Sequence, residues 1–281
     1  MGKQKRSPNT YQKINTIFLR DDKNVIMPYE PFVEPEFEYL RSLKWRGEEK
    51  IDGMNVRIEV NQNPEYVNGG DYANEEDRSV LGARFSVHIK GKTDNAEIPK
   101  NLLKHMQEKY PKEKVLDALG LKEFIPANEF IDHKWENYNQ IPKLYTIYGE
   151  GYGAGIQQGG WYIKDGNEFI VFDVKVNDLY LLTEARDEIA NKLGAPIVPF
   201  IGYFTLDEAI DYVRKGFRSR VAESPDVKMA EGLVLRTDVG LRNRRGERLI
   251  LKVKYEDFQK YRAVYGTDEK VEQKKNENYN K

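Results

Sequence analysis

Along the 281 residues, strand-patterned and helix-patterned segments follow one another without a β-α-β-α alternation. A parallel sheet needs that alternation, because each parallel pair is joined by a crossover. The expectation is an α+β fold of mainly antiparallel sheets flanked by helices. Apolar–polar alternation predicts strands over Met54–Asn61 and Ala83–Lys90, and Leu144–Tyr148 and Phe169–Val176 are strand-like, the last most strongly. Helical spacing predicts Pro35–Trp45, leading into a strand that ends at Lys50, then Pro99–Tyr110 and Glu113–Leu119. Thr183–Leu193 and Leu206–Phe217 are also predicted helices, each opened by a threonine and followed or closed by glycine. Glu231–Thr237 and Arg248–Lys254 form a last strand pair around a basic turn. Residues 1–10 read as a flexible basic arm, 62–80 as a polar surface loop and 267–281 as a disordered polar tail. No repeat or linker divides the rest, so 11–266 is expected to be one domain.

Composition removes several kinds of chemistry. There is no cysteine, which excludes disulfides, thiol nucleophiles and thiolate metal sites and fits a reducing compartment. The three histidines, His88, His105 and His133, are far apart in sequence, so no histidine-rich metal site or H-E-x-x-H helix is expected. Net charge is −1, so nucleic-acid binding has to come from a local basic patch. No apolar run approaches the roughly 20 residues that span a bilayer. The basic start, Met1–Pro8, has no apolar core behind it, and Arg6 does not fit a myristoylation signal. A cytoplasmic protein without a membrane partner is expected.

Four segments carry side chains suited to chemistry. In Glu49-Lys50-Ile51-Asp52-Gly53-Met54-Asn55, a lysine follows a strand, and Gly53 lets the backbone turn just after it. A lysine held so is a nucleophile if its pKa is pulled down, and a solvated turn residue if it is not. Tyr148–Gln157 is glycine-rich but lacks the Gly-Lys-Ser/Thr of a P-loop and the spacing of G-x-G-x-x-G. It reads as a hairpin bringing backbone close to a ligand, with Glu150 at a strand end, or as a surface loop. Phe169–Val174 is an apolar strand with an acid, Asp173, inside it. Finally, Lys252 and Lys254 lie two apart, so they share one face of a strand while Leu251 and Val253 face the core. With Glu231 on the neighbouring strand, they suit a polyphosphate or a solvated face.

Taken in order, these segments resemble the covalent nucleotidyltransferase superfamily of ATP-dependent polynucleotide ligases and capping enzymes, and most of all the RNA ligase 2 type of RNA ligase. Glu49-Lys50-x-x-Gly53-x-Asn55 looks like motif I, and Gly149-Glu150 through Gly155-Ile156-Gln157 like motif III with its adjoining G-I-Q. Phe172-Asp173 looks like motif IIIa, Glu231-Gly232 like motif IV and Lys252-x-Lys254 like motif V. The likeness runs from about Lys50 to Lys254. It implies a nucleotidyltransferase (ATP-grasp-like) domain, and with 27 residues after Lys254 neither the OB-fold nor the helical C-terminal domain found in parts of the superfamily is expected.

The resemblance also implies a reaction. Lys50 would attack the α-phosphorus of ATP and release pyrophosphate, leaving a lysyl-AMP. The AMP would pass to an RNA 5′-phosphate, and a 3′-hydroxyl would then seal the strand, as in RNA repair. The nucleophile has to be a neutral amine, and nearby positive charge from Lys252, Lys254 and a divalent metal would favour that form. The same charges would stabilise the reacting phosphates. By the same resemblance Glu150 would hold the ribose, Phe172 would stack on adenine and Asn55 would contact the α-phosphate region. Glu49, Lys92 and Arg236 complete the expected ATP-binding set, Lys92 standing where the family tends to carry arginine. Glu231 and Glu150 would hold Mg2+ or Mn2+ through water. Arg242, Arg244, Arg245 and Arg248, in the turn before motif V, are expected to meet RNA phosphates. A minimal DNA ligase and an inactive nucleic-acid-binding relative are the other functions compatible with the sequence.

Overall fold

The computed structural model describes residues 9–28, 30–63, 85–122, 144–157, 162–223 and 229–266. The expected arm over residues 1–8, most of the loop at 64–80 and the tail from Thr267 lie outside the described residues. The chain divides into two compact units: Met1–Tyr11 with Asp52–Ile197 (unit 1), and Gln12–Ile51 with Val198–Lys281 (unit 2). Each has one five-stranded sheet. No helix among the described residues is long and apolar enough to cross a membrane.

Unit 1 contains strands β3 (Met54–Gln62), β4 (Phe85–Gly91), β5 (Leu144–Gly153), β6 (Asn167–Val176) and β7 (Leu179–Tyr180), in the order β4-β3-β5-β6-β7 and antiparallel throughout. Helices α2 (Lys100–Lys109), α3 (Lys112–Ala118) and α4 (Thr183–Leu193) share its core. Val56, Ile58 and Val60 alternate onto that core, and Leu102, Met106, Val115, Leu116, Ala190 and Leu193 meet them from the helices. A fully buried apolar side chain of this size contributes about 1.5–3 kcal/mol.

Unit 2 contains β1 (Asn15–Thr16), β2 (Trp45–Glu49), β8 (Phe200–Phe204), β9 (Gly232–Arg236) and β10 (Ile250–Lys254), in the order β1-β10-β9-β2-β8. Among the described strands of this unit, only the short β1–β10 pair is parallel. Helices α1 (Pro35–Tyr39), α5 (Leu206–Lys215) and α6 (Tyr255–Tyr265) supply Phe37, Leu206, Ile210, Val213 and Phe258 to the core under this sheet.

Several boundaries differ from those predicted. The helix begun by Pro35 stops at Tyr39, and Trp45 instead opens β2, because pairing with β8 and β9 outweighs helical spacing. The Trp45 ring is fully buried, with its indole N–H on Leu40 O at 3.1 Å. Thr205 caps α5 as predicted, in a capping box with Glu208. Thr183 does not cap α4: it is the first helical residue, and Leu182 takes the cap position. β5 runs on to Gly153, which places Glu150 inside a strand and not at its end.

Candidate active site

Residues directly opposite one another in a sheet share a face. In unit 2, Lys252 lies opposite Val234, and Val234 opposite Glu48; Arg236 lies opposite Arg46, and Lys254 opposite Gly232. Leu233, Leu235, Leu251 and Val253 therefore turn the other way, into the core. One face of the sheet is apolar, and the other carries Arg46, Glu48, Arg236, Lys252 and Lys254.

Lys50 directly follows β2. Its backbone N–H donates to Gly232 O at 2.9 Å, and its Nζ donates to Glu231 Oε2 at 2.6 Å. Lys254 Nζ stands 3.1 Å from the other oxygen of Glu231 and also pairs with Glu256. Glu231 thus bridges two lysines whose strands it joins. Lys252 has no carboxylate or carbonyl within hydrogen-bond distance among the described residues. Burial, and then the charges of Lys50 and Lys254, hold its amine below the ordinary lysine value. For Lys254 burial acts downward too, but Glu256 and Glu231 outweigh it and the amine is held above that value. One half-buried cation with no partner among the described residues, beside two bridged ones, is an arrangement that accepts an anion.

Two residues expected to bind ATP, Glu49 and Arg236, have protein partners. Glu49 is buried, with its carboxylate accepting from Ser219 Oγ at 2.5 Å and from the Arg220 backbone at 2.8 Å. Burial raises its pKa against those two hydrogen bonds. This carboxylate braces the chain after α5, and the structure gives it no free oxygen pair for a nucleotide. Arg236 Nη2 lies 3.2 Å from Glu48 Oε2, while Arg46 Nε takes Glu48 Oε1 at 3.2 Å. Arg236 remains on the polar face, one pair along from Lys252.

Unit 1 holds the other expected ligands. Asn55 of β3 lies directly opposite Glu150 of β5. The Asn55 Oδ1 atom is buried without a hydrogen-bond partner among the described residues, an orphan of the kind that a bound ligand satisfies. Gly53 is needed here for close approach and not for a sharp turn: a Cβ on it would come 2.2 Å from Gly151 O and 2.9 Å from Glu150 Cγ. The glycines of β5 act likewise, since a Cβ on Gly149 would meet the Phe169 ring at 2.4 Å. They make room for the protein's own packing, which differs from the expected backbone–ligand approach. Phe172 falls at the bulge in the β5–β6 register, half-buried, with Tyr11 edge-on at 4.9 Å between centroids. Lys92 is exposed in the turn after β4.

Sequence patterns did not point to Tyr11 or Arg57. Tyr11 OH donates to buried Asp173 at 2.7 Å, which accounts for the acid inside the apolar strand. Arg57 is fully buried, pairs with Glu59 at 2.6 Å and holds the Lys92 turn through Gly91 O and Asp94. Its signal was legible: Arg57 and Glu59 alternate with three apolar residues, so both charges share one face.

In the turn between β9 and β10, only part of the arginine set is available. Arg242 donates to Gly246 O at 2.7 Å and Arg248 to Gln12 Oε1 at 3.4 Å. Arg244 and Arg245 are exposed, and the turn beneath them is held by Asn243 Oδ1, which accepts from the Arg245 and Glu247 backbones.

Among the described residues no three His, Cys, Asp or Glu side chains gather as a metal cage. A hydrated cation that takes one carboxylate and leaves its other positions to water and phosphate needs no such cage.

Known proteins resemble this chain in fold. No curated protein matches in sequence. Two solved structures of an RNA ligase from Naegleria gruberi, one of a mutant with ATP and Mn and one of another mutant in its apo form, each match with a TM-score of 0.52 at 15% identity. At that identity the likeness is one of fold. Each match covers 91% of this chain and 58% of that chain, so this chain spans less than two thirds of the ligase it resembles. The family model for RNA ligase matches residues 43–254, which contain Lys50, Glu150, Glu231, Lys252 and Lys254 together. The chain belongs to the RNA ligase family.

Proposed function

We propose that this chain is an ATP-dependent RNA ligase whose adenylyltransferase domain covers residues 11–266 and works through a lysyl-AMP on Lys50. The observation that carries the reading is the Lys50–Glu231–Lys254 bridge with Lys252, which has no carboxylate partner among the described residues, on the same polar face. ATP is the co-substrate. The Lys50 Nζ lone pair attacks the α-phosphorus, the bond to the β-phosphate oxygen breaks, and pyrophosphate leaves. Glu231 holds Lys50 in place and is the acceptor nearest the proton that the amine has to lose. Lys252 and Lys254 stabilise charge that develops on the phosphates. Glu150 takes the ribose, Phe172 the adenine ring and Asn55 the α-phosphate region, with Lys92 and Arg236 as further phosphate cations. Glu231 and Glu150 would hold Mg2+ or Mn2+ through water, which when bound neutralises phosphate charge.

The AMP then passes to an RNA 5′-phosphate, and a 3′-hydroxyl displaces it to seal the strand. Arg244 and Arg245 meet RNA phosphates from the exposed turn, with Arg242 and Arg248 holding that turn in shape. The setting proposed is cytoplasmic RNA repair. The test is incubation with α-labelled and γ-labelled ATP and Mg2+, followed by denaturing electrophoresis. Label retained only from the α position and lost in Lys50→Ala supports the reading; undiminished labelling of Lys50→Ala sinks it.

A further inference from the structure

Strand β8 is the outer strand of the unit 2 sheet, and its side chains break simple alternation. Tyr203 pairs with Arg46 and Phe200 with Glu48, with a register shift between Gly47 and Glu48. Residues three apart in a regular strand face opposite ways, but the bulge inserts one extra residue and brings Phe200 and Tyr203 to the same face. Ile201 and Phe204 turn to the core instead. The two rings meet edge to face with centroids 5.2 Å apart, and the Arg46 guanidinium stands 4.4 Å over the Phe200 ring. Phe200 keeps 39% and Tyr203 46% of its surface exposed.

These rings lie on the polar face of the sheet, the face of Arg46, Arg236 and Lys252. Its acids are already engaged: Glu48 is shared by two guanidinium groups, and Asp238 accepts from Tyr203 OH at 2.9 Å. Exposed Arg220 anchors the far end of the strand through Phe200 O at 2.9 Å and leaves its charge at the rim. Adjacent exposed aromatic rings among guanidinium groups match the needs of unpaired nucleotides, whose bases stack on rings while their phosphates seek cations. We infer that Phe200 and Tyr203, with Arg46 packed on the Phe200 ring and exposed Arg220 at the rim, form a stacking platform for unpaired bases of the RNA strand. The inference rests on the ligase reading for the identity of its ligand, and it deepens that reading by naming where single-stranded substrate docks.

The experiment compares binding of a labelled single-stranded RNA and an abasic oligomer of the same length and charge, by fluorescence anisotropy, to wild type and to the double variant Phe200→Ala, Tyr203→Ala. Wild type should prefer the RNA with bases by about tenfold or more, the double variant should lose that preference, and Lys50 labelling from ATP should be unchanged. The pair Phe200→Tyr, Tyr203→Phe should restore the preference. Equal binding of both oligomers by wild type, unchanged RNA affinity in the double variant, or a change in its self-association would each overturn the platform. Absence of Lys50 labelling in wild type would count against the lysyl-AMP reading alone, because the abasic comparison still decides the platform.

Discussion

The Lys50 amine donates to Glu231 Oε2 at 2.6 Å across 181 positions of sequence. That one hydrogen bond ties the residue after β2 to the residue before β9, and Lys254 on the other oxygen ties in the end of β10. Removing the carboxylate leaves three amines in one half-buried place, of which Lys254 alone keeps a carboxylate, Glu256, among the described residues. Glu231→Ala should therefore lower single-turnover adenylylation by about two to three orders of magnitude while the far-ultraviolet circular dichroism stays native. Near-normal rates would show that the phosphate site lies elsewhere.

Lys252 makes the opposite prediction for stability. Its folded-state pKa is lowered, so between that value and the ordinary lysine value the unfolded chain binds more protons, and stability rises with pH through that window. Lys252→Met should melt above wild type at neutral pH, with the gap closing at alkaline pH, yet should barely adenylylate. A variant melting below wild type would mean that Lys252 is a structural cation.

Glu49 should behave as a brace. Its buried carboxyl has a raised pKa, so between the ordinary carboxylate value and that raised value the folded state binds more protons, and stability falls as pH rises through the window. Glu49→Gln keeps an acceptor for Ser219 and should flatten this pH dependence. Glu49→Ala leaves Ser219 Oγ and the Arg220 N–H without their partner and should cost about 1–3 kcal/mol in denaturant unfolding. A large loss of ATP affinity at full stability would instead assign Glu49 to the nucleotide.

Gly53→Ala forces a methyl group against Gly151 O, so β3 and β5 have to separate where Asn55 faces Glu150. Overpacking of this kind costs about 1–3 kcal/mol. ATP affinity, measured by calorimetry, should fall further than stability alone accounts for. A native melting temperature with native affinity would show that the strands yield there.

Arg244 and Arg245 should act on RNA and leave the nucleotide alone. With both replaced by Ala, Lys50 labelling should stay intact while RNA binding weakens. Its salt slope should flatten by roughly 0.7 for each single-strand phosphate that the protein no longer neutralises. An unchanged slope returns both side chains to solvent.

Much of this protein is legible in the chain itself. Val56, Ile58 and Val60 announce a strand by strict alternation, and Thr205 with Glu208 announces the start of α5, because both signals are local. Lys252 and Lys254 share a face by spacing alone. The motif order from Lys50 to Lys254 points to the family without any knowledge of the fold. The elements that escape are those whose local pattern is weak. α6 is nearly as polar as it is apolar and is ordered by packing Phe258 and Tyr261 into the unit 2 core. β8 hides behind its bulge, and Trp45 exchanges a helical neighbourhood for a strand because β8 and β9 supply partners. Sequence expects Lys252 and Lys254 alike to lend positive charge to Lys50. Only tertiary structure separates them, since a pKa depends on burial and on which carboxylates lie within reach. Glu231 serves Lys50 and Lys254, and Lys252 is left with burial and two like charges.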